Sequence, residues 1–182
     1  ALDDLSGQVH ERVAFSGMDL TEATSTGASF SDCVFTQCRF NAGTHVRTAM
    51  VNCVFVGCSF FDVTLEECKL VGSVFEDCAF GLVAVTGGDW SFVSLRNADL
   101  RKATITGVRM READLSGVKA GRATIVRTDL SGATFRQADF SRADLRGSNL
   151  ETCDPLTTTL KGAVIDTAGA VQIAGALGLD VR

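Results

Sequence analysis

A period of five runs through this chain. Ten of its twelve phenylalanines sit at residue numbers divisible by five. From Phe15 to Leu150, every fifth residue is Phe, Leu, Ile, Val, Met, Trp or Ala, except Ser25 and His45. That makes 26 apolar positions out of 28, with no insertion that breaks the count. Two residues before each stands a second row, running from Val13, Met18, Ala23 and Ala28 to Ser148. Apart from Met18 it holds small or β-branched residues. A spacing of five matches neither the helical period of about 3.6 nor the strand period of about 2. It is an internal repeat, and a repeat decides architecture ahead of local propensity.

The charges keep the same phase. Of the 39 Asp, Glu, Lys and Arg residues, only Asp3 and Asp180 fall on either row. An unpaired buried charge costs several kcal/mol, so the two rows face inward and the other three positions face solvent. Eleven of the 18 glycines lie two residues after a central position, where a bend every five residues requires a backbone that tolerates positive φ. The chain therefore turns a corner about every five residues. That excludes a layered α/β domain and predicts an all-β solenoid whose coils stack about 4.8 Å apart.

Ala98-Asp99-Leu100-Arg101-Lys102, the Ala113–Gly117 and Ala138–Arg142 blocks, and Ala143-Asp144-Leu145-Arg146-Gly147 resemble the A(D/N)LXX motif of the pentapeptide-repeat family. The resemblance implies a right-handed quadrilateral β-helix with four pentapeptides, or 20 residues, per coil. On that count Phe15, Phe35, Phe55 and Phe75 form one column, and Phe40, Phe60 and Phe80 the next. Leu65, Val85, Ile105, Ile125 and Leu145 form a third, and Phe30, Met50, Leu70, Trp90, Met110 and Leu130 a fourth. Each buried side chain contributes about 1.5–3 kcal/mol, so such columns can offset the entropy of ordering the chain.

All seven cysteines fall on the small-residue row and are expected to act as small buried hydrophobes. Their spacing holds no zinc motif, and neither a metal nor a cofactor is implied. No P-loop, G-x-G-x-x-G, H-E-x-x-H or nucleophile elbow is present, so the chain does not read as an enzyme. His45 is expected beside Ser25 in one column, as a buried hydrogen bond. No apolar run approaches the length of a membrane span, no secretory signal is visible, and the expected compartment is the cytoplasm.

The repeat is expected over residues 1–165, with a short helix and tail over 166–182. Asp166 or Thr167 would cap this helix and Gly178 would end it. Val171, Ala174 and Leu177 would share one face, as a lid on the open end of the rod or as part of a two-fold seam. Ile173, Leu179 and Val181, read as lying beyond the capping face, favour the seam. The expected dimerisation set is Val171, Ile173, Ala174, Leu177 and Leu179.

Function then has to reside on the exterior. The net charge is −5, divided as −8 over residues 1–95 and +3 over 96–182. The acidic half argues against direct nucleic-acid binding and suits a rod that occupies a basic groove. DNA carries one charge per ~1.7 Å, far denser than this chain, so such mimicry would rest on shape and on local acids. Asp62, Glu66, Glu67, Glu76 and Asp77 are the candidates.

Size, the absence of interrupting loops, Leu70-Val71-Gly72-Ser73-Val74-Phe75, Gly87-Gly88-Asp89, Asp154-Pro155, Leu160-Lys161-Gly162-Ala163 and the terminal helix are similar to the MfpA-type group of pentapeptide-repeat proteins. That resemblance implies a homodimer joined at its C-terminal ends that binds DNA gyrase in place of DNA, inhibits it and protects it from fluoroquinolones. The looped Qnr proteins are a poorer match, and the net-basic second half departs from a uniformly negative surface. The alternative is a scaffold with a partner other than a topoisomerase.

Overall fold

The structure is a computed structural model that describes residues 4–182. Strands of three residues recur around a four-sided parallel β-solenoid. One side stacks Thr24–Thr26, Thr44–Val46, Thr64–Glu66, Ala84–Thr86, Thr104–Thr106 and Thr124–Val126. The next stacks Val9–Glu11, Ser29–Ser31 and Ala49–Val51, and the third Ala14–Ser16, Val34–Thr36, Val54–Val56 and Val74–Glu76. Single bridges form the fourth side as a ladder from Asp19 through Arg39, Ser59, Ala79, Asp99, Lys119 and Asp139 to Thr159. Every pairing is between residues 20 apart, such as Phe35 with Phe55 and His45 with Leu65.

This register follows from the two apolar rows. Central residues from Leu20 to Leu150 are buried, as are nearly all of the small residues two positions earlier. Phe15, Phe35, Phe55 and Phe75 stack with ring centroids 4.8, 4.9 and 4.7 Å apart. Phe40 and Phe60 stack at 4.9 Å. Rings in neighbouring columns meet edge to face, as Phe55 and Phe60 do at 5.4 Å, a geometry worth about 0.5–1.5 kcal/mol beyond burial. The two phenylalanines outside the period, Phe61 and Phe92, are exposed.

Six of the seven thiols donate to backbone carbonyls two and 23 residues earlier, as Cys58 does to Val56 and Phe35. Burial pushes the Cys53 thiol up to about 12. These are small core residues, as the sequence predicts.

Many corners are type II turns. The Ala23 amide donates to the Leu20 carbonyl at 3.1 Å, with Glu22 at φ 60°. Among the described residues, left-handed corners occur at 18 non-glycine residues as well as at glycines. This differs from the glycine-centred reading. The stacked register imposes the conformation, because most corner amides donate to the following coil, as Glu22 does to the Asn41 carbonyl at 2.8 Å.

His45 replaces an apolar central residue. Its Nδ1 lies 2.7 Å from the Ser25 hydroxyl, which also meets the Thr48 hydroxyl at 2.7 Å. Gly43 leaves room for the ring, since a Cβ there would stand 3.0 Å from Nε2. Nε2 is buried without a partner among the described residues, and burial lowers the imidazole to about 4. His45 is thus neutral and sealed inside.

The C-terminal helix spans Thr167–Ala176. The Asp166 carboxylate accepts from the Gly169 amide at 2.9 Å and from the Gly147 amide at 2.7 Å, which caps the helix and ties it to the last coils. Gln172 Oε1 accepts from the Leu150 amide at 2.8 Å. Gly169 is buried, with Leu150 and Ile165 within 3.4 Å of where its Cβ would stand. The inward residues are therefore Gly169 and, one turn on, Ile173, which packs on the core. Val171 and Leu177 face solvent. The helix is rotated from the expected phase, and Ile173 belongs to the lid and not to the exposed set.

Three outcomes follow. Phe55→Ala lowers the free energy of urea unfolding by about 3–5 kcal/mol, since a stacked ring leaves a cavity with little room to relax. Between pH 6.5 and about 4 the unfolded chain takes up a proton at His45 and the folded chain does not, so stability falls on acidification through that window. His45→Leu removes this loss, read as a smaller shift of the urea midpoint between about pH 7 and about pH 5. Backbone amides hold the Asp166 carboxyl below its ordinary 3.8, so its contribution is present at neutral pH and is lost as pH falls below that value. Asp166→Ala removes it at all pH, read as faster amide exchange at Gly147 and through 167–176 while the coil core stays protected.

Candidate functional surface

Each coil places its outward residues in columns 20 apart, so surface chemistry is organised along the rod. The five acids singled out from the sequence are all exposed. Glu66 ends the strand Thr64–Glu66 and Glu76 ends Val74–Glu76. Ten residues are half a coil, so these two strands lie on opposite sides. Asp62, Glu67 and Asp77 occupy corners with φ of 59°, 50° and 52°. The acids do not form one patch. They form a band around the middle of the rod.

Glu67 is the most constrained of them. Its carboxylate accepts from the Gly88 amide at 3.2 Å. It lies so close over Gly87 that a Cβ there would stand 2.0 Å from the carboxylate. A Cβ on Gly88 would come 2.1 Å from the Cys68 carbonyl oxygen. The Gly87-Gly88 pair therefore lets the backbone pass beneath this acid.

The band carries no ion pair among the described residues. None of the five acids takes part in one, whereas several acids of the later coils, and Glu11 and Asp19 of the first, are paired with arginine. Asp89 meets Arg109 at 3.0 Å, Asp114 meets Arg96 at 3.3 Å and Asp129 meets Arg111 at 2.6 Å. The Arg101 guanidinium holds the Asp99 carboxyl below its usual range, and Arg146 does the same to Asp144. Exposed pairs of this kind add about 0–1 kcal/mol to stability, but they cancel local field. Sequence reasoning missed them, although the spacings of 20 and 18 residues identify both kinds once the coil length is known.

A second feature was also missed. A groove runs along the fourth side, lined by Phe61, Gly81, Gly121 and Ser141, by Asp99, and by Arg101, Lys102, Arg122, Arg142 and Lys161. Lys102, Arg122 and Arg142 are spaced by one coil. Five of the 13 basic residues of the second half line this groove.

At the C-terminal end, Val171, Leu177 and Leu179 are exposed and Ala174 is half-buried. Ile173 lies beneath them against the core. Among the described residues no helix is long and apolar enough to cross a membrane.

No curated protein matches the chain in sequence. The solved structure of a trypsin-treated QnrB1, a plasmid-mediated fluoroquinolone resistance protein, matches with a TM-score of 0.87 and 20% identity, covering 98% of this chain and 90% of that one. A second trypsin-treated QnrB1 structure matches with a TM-score of 0.72 and 17% identity, over 96% and 100%. At these identities the likeness is one of fold. The family described as "Pentapeptide repeat region" matches residues 28–105, and that described as "Pentapeptide repeats (8 copies)" matches residues 4–42 and 113–154. The continuous five-residue period, the 20-residue register and these matches together cover most of the chain, which belongs to the pentapeptide-repeat family.

Proposed function

We propose that this protein is a DNA-mimicking rod that binds DNA gyrase, a type II topoisomerase, in place of DNA, inhibiting it and protecting it from fluoroquinolones. The carrying observation is the band formed by Asp62, Glu66, Glu67, Glu76 and Asp77, none of which enters an ion pair among the described residues. Because Glu66 and Glu76 lie on opposite sides, the band presents charge in two directions, as the two backbones of a duplex do. A groove with basic walls would meet an acid on either wall. Oriented charge of this kind steers association and sets register. The fold shared with QnrB1 over nearly the whole chain supports the reading as a matter of shape.

In this reading the protein works by binding, without catalysis and without a cofactor, in the cytoplasm. It is a homodimer through the C-terminal end, where Val171, Ala174, Leu177 and Leu179 supply exposed apolar surface around the docked helix. The net-basic second half lies toward that end. A scaffold with a non-topoisomerase partner is the competing function.

Adding the protein to a gyrase supercoiling assay should inhibit supercoiling or restore it in the presence of a quinolone, and no effect at micromolar protein would refute the proposal. Reversing Glu66, Glu67, Glu76 and Asp77 to lysine should weaken gyrase binding by at least about tenfold and flatten its salt dependence. Unchanged affinity would remove the band from the interface. Recovery of other proteins but not gyrase in a pull-down from lysate would favour the scaffold.

A further inference from the structure

The fourth side is divided against itself in charge and shape. Its eight bridged rungs run from Asp19 to Thr159. Early in the chain it presents Asp62 and the exposed ring of Phe61, and late in the chain it presents the groove over Gly121 with Arg122 on its rim. Asp62, Arg122 and Asp139 enter no ion pair among the described residues. Each half offers what the other lacks.

We propose that this side docks a second copy of the chain, antiparallel and related by a two-fold axis. Two rods laid face to face about an axis running across them bring each outward column onto the same column of the other copy, in reverse order. With the axis midway between the rungs of Phe80 and Leu100, the rung of Phe60 meets that of Ala120, and the rung of Phe40 meets that of Phe140. Phe61 then lies over Gly121 of the second copy, where the groove floor carries no side chain. Asp62 faces Arg122, Arg39 faces Asp139, and no outward residue of this side faces a like charge.

The register is selective. Placing the axis on the Phe80 rung instead sets Arg39 against Lys119 and Asp19 against Asp139, and such like-charge contacts are what interfaces avoid. The favoured register also centres the axis on the eight rungs, so the whole side is covered. Seven spacings of about 4.8 Å give a strip about 34 Å long. A strip of this length and one side wide lies at the low end of interface sizes, so the pairing is weak, reversible and salt-sensitive. It lies along the rod, away from the C-terminal helix, and does not depend on the gyrase reading.

The test is sedimentation velocity and small-angle scattering on the full chain, at about 0.02 M and about 0.5 M salt. In the chain carrying Leu177→Asp and Leu179→Asp, which removes exposed apolar residues from the C-terminal seam, a low-salt dimer is expected whose longest dimension stays close to that of one rod. In the unaltered chain, where joining through the C-terminal ends already nearly doubles that dimension, the same contact adds mass at low salt beyond the C-terminal dimer. Asp62→Arg and Arg122→Asp each place like charges in contact and should weaken this association at least about tenfold. The combined Asp62→Arg/Arg122→Asp chain should regain it to within about threefold. Single reversals without effect, a combined chain that does not recover, or dimers that are only elongated would overturn the proposal. Saturable binding of polyglutamate by a chain that forms no side-by-side dimer would assign the groove to an acidic partner and overturn it equally.

Discussion

Stacking at a fixed interval of 20 residues is the constraint on which the rest of the molecule depends. Each coil donates amide hydrogen bonds to the next, from Leu5 onto the Thr24 carbonyl through to Leu145 onto that of Val164. The same register places ring on ring and thiol beside carbonyl, so backbone satisfaction and core packing are one condition. A side chain that does not fit its column disturbs both. The chain tolerates a polar column entry only where partners are built in, as Ser25 and Thr48 are around His45.

The corners show how strongly this condition acts. Asp, Asn, Glu, Arg, Gln and even Leu and Phe occupy left-handed backbone at the turns. In isolation those conformations are unfavourable for most of these residues. In the stack they persist because leaving them would break inter-coil hydrogen bonds on either side. A rod held in this way has few low-energy deformations, which suits the proposed role of presenting charge at set positions.

Much of this is legible in the residues themselves. The apolar row predicts which side chains are buried, and the cysteines on the small row behave as core residues. The proximity of His45 and Ser25 follows from their separation by one coil. Other features elude a linear reading. Glu66 and Glu76 look clustered because ten residues seem close, yet ten residues are half a circuit and carry the chain to the opposite side. Arg96 and Asp114, or Arg111 and Asp129, look unrelated until the coil length brings them within reach. The helix facing failed for another reason. Its rotation is set by Asp166 on the Gly147 amide, Gln172 on the Leu150 amide and the close approach of Gly169, and none of these belongs to the period.

The sequence by itself determined that the chain is a solenoid with two inward rows, because only a repeated geometry reconciles apolar side chains every five residues with charges excluded from the same positions. The tertiary structure alone decided which exterior residues share a side. Surface neighbours are set by the circumference of the coil and the docking of its end, quantities that act between coils and leave no trace in local composition. That is why the interior could be read residue by residue, while the acidic band, the paired arginines and the basic groove emerged only when the coils were stacked.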